Sequence, residues 1–251
     1  MTKLCGRRGL PLALALAFAG PREIGALVTE QSVAAREQAI GKGGVMAGKE
    51  LAVTFSSLRA NDLIWPYVVN SYLKGKEPPA FDLLYWNADA TNLPGSMFTW
   101  YVRNTYLENK LRLPGETIQC GAPVDLSKIT IPTYLYASRE DHLVPWRTCF
   151  VSTQLLNSNT VFTLGASGHI AGVINPPAKN KRNYWIDGVL GGTADDWYAS
   201  AQEVPGSWWP HWRDWLRTHA GPMVPAPSET GNERYRPTEP APGRYVMQRA
   251  D

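Results

Sequence analysis

Two short polar runs in this chain hold side chains suited to proton transfer. Ser138-Arg139-Glu140-Asp141-His142 supplies carboxylates and an imidazole, and Gly165-Ala166-Ser167-Gly168-His169 supplies a second imidazole. A carboxylate bonded to one ring nitrogen of a histidine fixes its tautomer and stabilises the imidazolium, so the other nitrogen can take a proton from a hydroxyl or thiol. Asp141 and His169 are the pair that this chemistry favours. Glu140 is an alternative acid, and His142 is either a hydrogen-bonding neighbour or a surface residue. The plainer alternative makes Asp141 a helix cap ahead of Val144 and His169 an ordinary loop histidine. No metal and no cofactor are expected, because Asp141, His142 and His169 lack a clustered ligand spacing such as H-x-x-x-H.

A nucleophile is harder to find. Neither a G-x-S-x-G elbow nor its cysteine version occurs in the 251 residues. Cys5 has no strand pattern before it, and Ser167 lies too close to His169. Cys120 and Cys149 are expected to pack as small apolar groups.

The elements that must position the pair are legible on either side of it. Residues 129–138, ITIPTYLYAS, and 159–164, NTVFTL, are β-branched and aromatic runs that end in the two polar loops. Residues 146–156 between them fit a helix. Strand, helix, strand makes a parallel βαβ unit, whose functional groups sit on the loops at the strands' carboxyl ends. Gly165 and Gly168 are expected to let the second loop turn tightly. An acid on one such loop and a histidine on the next is the later part of the order nucleophile, acid, histidine found in α/β-hydrolases.

Around this unit the chain changes character. Residues 29–111 read as a mostly helical, aromatic-rich insertion, with Trp65, Trp86 and Trp100 among its residues. Residues 207–219, SWWPHWRDWLRTH, fit a helix capped by Ser207 that buries an aromatic face on the sheet, with a polymer-binding groove as the alternative. Residues beyond 221 are rich in proline and charge and form a tail without a core of its own. Near the start, LPLALALAFA at 10–19 reads equally as a buried strand or a signal peptide. It is too short for a membrane span, which needs roughly 20 apolar residues. A net charge of +3 gives no reason to expect nucleic acid, and three cysteines without a C-x-x-C pair fit a reducing compartment.

Six blocks in order resemble class I polyhydroxyalkanoate synthases, in the C-terminal half of their catalytic domain. They are TFSSLRANDLIWPYVVNSYLKG (54–75), FDLLYWNADATNLPG (81–95), SREDHLVPW (138–146), GASGHIAGVINPPAKNKRNYW (165–185), GSWWPHW (206–212) and RYRPTEPAPGRYV (234–246). The resemblance implies an α/β fold, a partial α/β-hydrolase core of parallel sheet and helices with an inserted helical cap. The division it suggests is a divergent start with a core strand at 1–23, a cap at 24–116, the later core at 117–220 and a Pro-rich tail at 221–251.

In function, the resemblance implies an acyltransferase that joins (R)-3-hydroxyacyl groups, 3-hydroxybutyryl above all, from coenzyme A thioesters into a storage polyester. Asp141 in SREDH and His169 in GASGH match the family's catalytic aspartate and histidine. The family's nucleophile is a cysteine in G-x-C-x-G-G, a motif missing here. The chain thus reads as a truncated synthase that is inactive alone, with Cys5 not the counterpart of that cysteine. Lys179, Lys181 and Arg182, or Arg59, are either contacts for coenzyme A phosphates or solvated loop residues. The expected setting is cytoplasmic, at the granule surface, with a homodimer or an intact synthase as partner. Two other readings stay open: a non-catalytic granule- or synthase-binding protein, and an esterase secreted by a signal peptide.

Overall fold

The computed structural model of the chain describes residues 10–11, 25, 27–58, 60–78 and 90–248. Cys5, Arg59, Trp86 and residues 12–19 of the apolar run lie outside them. The chain divides into two compact units, Met1–Thr29 with Val102–Pro222 and Glu30–Tyr101 with Met223–Asp251.

The apolar run enters the first unit as a strand, β1 (Leu10–Pro11), which pairs in parallel with a later strand at Leu10↔Thr133 and Pro11↔Tyr134. In the second unit, α1 (Glu30–Ile40) ends at Gly41-Lys42-Gly43-Gly44 and is followed by β2 (Val45–Met46) and α2 (Gly48–Leu58). Two short turns, α3 (Ala60–Leu63) and α4 (Trp65–Tyr67), lead into a π-helical stretch at Val68–Leu73. β3 (Leu93–Pro94) pairs antiparallel with β2 and opens α5 (Gly95–Tyr101). At Gly95 a side chain would overlap Ile40 O, so only glycine lets the start of α5 approach the end of α1. The tail makes local bonds of its own, such as Tyr235 N–H to Asn232 Oδ1 at 2.9 Å and Arg244 Nε to Glu239 Oε2 at 2.9 Å.

The site belongs to the first unit. After a hairpin of β4 (Ile118–Gln119) and β5 (Ala122–Pro123) come β6 (Thr133–Ser138), α6 (Trp146–Leu155) and β7 (Thr160–Gly165). β6 and β7 are parallel from Thr133↔Thr160 to Ser138↔Gly165, and α6 is the crossover that a parallel pair requires. Beyond them the sheet turns antiparallel with β8 (Asn183–Ile186) and, after α7 (Ala194–Ser200), β9 (Gln202–Pro205). The strand order is β1-β6-β7-β8-β9, and α8 (Trp209–Ala220) follows. The parallel part meets expectation, while the antiparallel extension is a feature that the sequence did not announce.

All six residues of β6 are buried, which a strand covered on both faces demands. Leu135 and Ala137 join Phe162, Leu164, Trp185, Trp146, Cys149, Phe150 and Trp197 in one apolar cluster under α6 and α7. Tyr134 and Tyr136 alternate to the opposite face, where the Tyr134 ring lies 6.3 Å from Trp208, 5.6 Å from His211 and 5.4 Å from Trp215. The aromatic face of α8 therefore packs on the sheet. Burial raises the Tyr134 phenol and lowers His211, the latter against the opposing charges of Asp187 and Asp214. Thr163 donates to the phenol oxygen at 2.8 Å, and the phenol meets His211 Nδ1 at 2.8 Å.

α7 starts in a capping box: Thr193 Oγ1 accepts from Asp196 N–H at 3.2 Å, and Asp196 Oδ2 accepts from Thr193 N–H at 3.0 Å. This cap fixes the turn that delivers Trp197 to the core. Thr193→Ala is expected to cost about 1 kcal/mol in chemical denaturation, as loss of an N-cap does elsewhere. A stability equal to that of the parent would show that α7 does not depend on its cap.

Candidate functional site

The two polar loops are joined before their side chains meet. Arg139 N–H donates to Gly165 O at 2.8 Å and Glu140 N–H to Ser167 O at 3.0 Å, so the ladder of β6 and β7 runs past both strand ends. The Arg139 guanidinium lies 5.0 Å from the Trp185 ring and 5.2 Å from that of Tyr198, which steadies the first loop from the side. Next in the chain, Asp141 meets His169: Oδ2 and Nδ1 are 2.8 Å apart.

Asp141 also binds its own loop. Its Oδ1 accepts from the N–H groups of Leu143 and Val144, both at 2.9 Å. These groups lie in the loop ahead of α6, which starts at Trp146 after Pro145 without a side-chain cap, so the expected helix cap at Asp141 is replaced by a loop turn, and one carboxylate oxygen serves the turn while the other faces His169. Two backbone donors fix the carboxylate plane and leave Oδ2 facing the imidazole. The geometry selects Asp141 over Glu140 as the acid beside His169. The His142 ring stands edge-on to His169 with centroids 6.4 Å apart and is a neighbour of the pair.

Neither Gly165 nor Gly168 has left-handed backbone, and of the two only Gly165 is required by close approach, since a side chain at Gly168 would come no nearer than 3.6 Å to Glu140 O. The residue with positive φ is Ser167, at 79°, which corrects the expectation that Gly165 and Gly168 supply the turn. At Gly165 a side chain would overlap the Tyr136 phenol, and at Gly172 it would overlap Ser138. Tyr136, pushed up to about 12 by burial, keeps its proton and accepts from Ser138 Oγ at 3.3 Å.

The two thiols within the described residues are placed very differently. Cys149 packs in the core as expected, and burial, reinforced by the negative charge of Asp141, pushes it up to about 12. A thiol so protonated is no nucleophile at neutral pH. Cys120 is exposed at a left-handed turn between β4 and β5, with φ of 50°, and does not pack as an apolar group. A tight two-residue turn, Cys120-Gly121, places it outside any core. Among the described residues no group of three His, Cys, Asp or Glu side chains is gathered as a metal site would require.

The electrostatics of the pair follow from its contacts. Burial works to raise Asp141, but the hydrogen bond from His169, the Val144 and Leu143 N–H groups and the charge of His169 outweigh it and hold the carboxyl below its ordinary value. The hydrogen bond to Asp141, with its charge, raises His169 against burial. Asp141 therefore contributes stability above its unfolded value of about 3.9 and loses it as pH falls through the lower folded value. His169 contributes fully below about 6.5 and loses it as pH rises through its higher folded value. Both contributions are present together between about pH 4 and 6.5. Asp141→Asn is expected to lower the titration of His169 seen by NMR and to flatten the pH dependence of stability across that window. A His169 titration unchanged by the substitution would refute the coupling.

With Nδ1 committed to Asp141, Nε2 has no partner among the described residues, and the His169 side chain remains 42% exposed while that of Asp141 is 8% exposed. An imidazole held in this way on a strand-end loop can accept a proton at Nε2. A sequence model of the alpha/beta hydrolase fold matches residues 31–176, more than half of the chain. The chain belongs to the α/β-hydrolase fold family.

Relatives of this α/β-hydrolase chain point in one direction. It is 53% identical over 244 residues to poly(3-hydroxyalkanoate) polymerase subunit PhaC of Cupriavidus necator, an overlap that takes in 95% of this chain and 41% of that protein. It is 42% identical over 232 residues to the subunit of the same name in Rhizobium etli, covering 92% and 36% of the two chains. It is 41% identical over 220 residues to poly(3-hydroxyalkanoate) polymerase 2 of Ectopseudomonas oleovorans, covering 88% and 39%. The resemblance read from the six blocks is borne out. The chain spans about two-fifths of the length of these relatives.

Several residues that support the site were not singled out from the sequence as doing so. Tyr136 was read as strand, Ser138 as the strand end that opens the acidic loop, and Trp208 and Trp209 as an aromatic helix face or a polymer-binding groove. The one available signal was the pairing of two tryptophans directly before Pro210, where a helix start leaves indole N–H groups near a neighbouring loop. Arg182 is an exposed loop residue whose guanidinium donates to Ala171 O. Lys179 and Lys181 are exposed.

Proposed function

We propose that Asp141 and His169 form the acid–base pair of a polyester-forming acyltransferase of the polyhydroxyalkanoate synthase type. The observation that carries this is the 2.8 Å contact between Asp141 Oδ2 and His169 Nδ1, on strand-end loops of a chain 53% identical to a polymerase of that class. His169 Nε2 takes the proton of a cysteine thiol. The thiolate then attacks the carbonyl carbon of an (R)-3-hydroxyacyl-CoA, and the carbon–sulfur bond to coenzyme A breaks. Coenzyme A leaves with the proton held by His169, and the acyl group stays as an enzyme thioester. In the second step the hydroxyl of another acyl unit loses its proton to the pair and attacks that thioester. An ester forms and the enzyme thiol is restored. Asp141 serves either by polarising His169 and stabilising its imidazolium or by activating the attacking hydroxyl.

The thiol is assigned to residues other than those described here: the 251 residues contain no G-x-C-x-G-G, Cys149 is buried and protonated, and Cys120 stands at the β4–β5 hairpin turn and not on a strand-end loop of the sheet. The remaining parts of the reading are a helical cap at 24–116, a cytoplasmic setting at the granule surface, and a second copy or an intact synthase as partner. Among the described residues no helix is long and apolar enough to cross a membrane.

A chimera that places a G-x-C-x-G-G segment, the nucleophile motif that the resemblance implies, ahead of this chain tests the proposal. Coenzyme A release from (R)-3-hydroxybutyryl-CoA with formation of an insoluble polyester is the expected result. A folded chimera that releases none would overturn it.

A further inference from the structure

The turn that carries His169 is held by donors from two other segments. Gly172 N–H donates to Gly168 O at 2.8 Å and Ile174 N–H to Ile170 O at 2.9 Å, which closes a short helical coil directly after His169. Such a coil leaves its later carbonyls without internal donors. Side chains meet them here. Arg182 Nη1 donates to Ala171 O at 2.5 Å, while Trp209 Nε1 and Trp208 Nε1 both donate to Val173 O, at 2.9 and 3.3 Å. Asn175, 4% exposed, closes the exit of the coil by donating to Lys181 O at 3.1 Å.

These donors are themselves tied to the sheet. The Trp208 ring lies 4.3 Å from the ring of Tyr136, whose strand ends three residues before Asp141. Gly206 N–H donates to Arg182 O at 2.7 Å, which links the segment carrying Arg182 to the one carrying the two indoles. The start of α8 thus holds both the strand that leads to Asp141 and the coil that leads away from His169. A 2.8 Å contact tolerates little displacement, since a hydrogen bond stretched by about 1 Å is largely lost. His169 is half exposed, so its ring depends on the bond to Asp141 and on the backbone that carries it.

We propose that Trp209, Trp208 and Arg182 are positioning residues for His169, holding its coil by the carbonyls of Val173 and Ala171 so that the imidazole stays in register with Asp141. The proposal rests on Asp141 and His169 being the acid–base pair, but its test needs no turnover. A role limited to attaching α8 would change stability and leave the imidazole untouched.

The test is an NMR titration of His169 in the full chain, comparing the parent, Asp141→Asn, and Trp209→Phe combined with Arg182→Met. The last variant keeps a ring and an aliphatic stem but removes the two shorter of the three donor contacts, leaving Trp208 Nε1 to Val173 O at 3.3 Å. Its His169 titration is expected to move most of the way from that of the parent to that of Asp141→Asn, with the core signals of Trp197 unchanged. A parent-like titration in the folded double variant overturns the proposal. If that variant does not fold, Arg182→Met alone, at an exposed position, is read by the same criterion. A parent titration already equal to that of Asp141→Asn would instead overturn the acid–base reading on which this proposal stands.

Discussion

Alanine at position 169 is expected to cut coenzyme A release by about 10²–10⁴-fold in a chimera that supplies the nucleophilic cysteine, the range typical of losing a positioned general base. The loss should fall on the chemical step. His169 is held through Nδ1 and offers Nε2, so its removal leaves substrate contacts in place while the thiol must ionise unaided. Asp141→Asn is expected to cause a smaller loss, because it keeps a ring at 169 but removes the charge that stabilises the imidazolium and permits the wrong tautomer. The pair of variants is measured by following free thiol under saturating (R)-3-hydroxybutyryl-CoA. Release by His169→Ala equal to that of the parent chimera would remove His169 from the chemistry, whatever its geometry.

The second large effect concerns the scaffold. Trp197→Ala is expected to destabilise the sheet-bearing unit by about 3–5 kcal/mol, as large-to-small substitutions of buried aromatics do. Trp197 is 1% exposed, its ring meets Phe162 edge to face at 4.8 Å and lies 6.0 Å from Phe150, and Gly188 is packed so tightly on it that any side chain there would collide. The cavity left by an indole is lined by the rigid sheet on one side and by α6 on another, so collapse to fill it is costly. Urea unfolding followed by circular dichroism measures the effect. A loss below about 1 kcal/mol, ordinary for a surface change, would mean that this cluster is not the core.

What the sequence disclosed about this fold depended on how far each element stands on its own residues. β6 and β7 are six-residue runs of β-branched and aromatic side chains, and α6 lies between them with a length that only a helix fits, so all three are recognisable in isolation. β8 and β9 are four residues each, and their strand character comes from pairing with β7 and with each other. No local periodicity marks them. The apolar run at the start was ambiguous for the same reason, and the parallel pairing of Leu10 and Pro11 with Thr133 and Tyr134 is a tertiary fact.

At the site, residue types confined the acid to Asp141 or Glu140. The choice between neighbours rests on the Leu143 and Val144 N–H groups, which orient one carboxylate and have no sequence signature. Gly165 was read as a turn glycine, whereas its function is to clear the Tyr136 ring across the sheet, and the left-handed position fell to Ser167. Cys120 looked like a core residue by type and sits exposed at a hairpin turn, because the turn geometry outranks the preference of its side chain. The carbonyl contacts made by Trp208 and Trp209 were hidden behind the stronger signal of an apolar helix face.

Activation of a thiol by the Asp141–His169 pair is reported most directly by the rate at which that thiol is alkylated. In the chimera, iodoacetamide should modify the G-x-C-x-G-G cysteine rapidly near neutral pH, with the rapid phase lost in His169→Ala until the pH approaches about 8.5, where a free thiol ionises unaided. Equal alkylation rates with and without the His169 imidazole, across the same pH range, would contradict it.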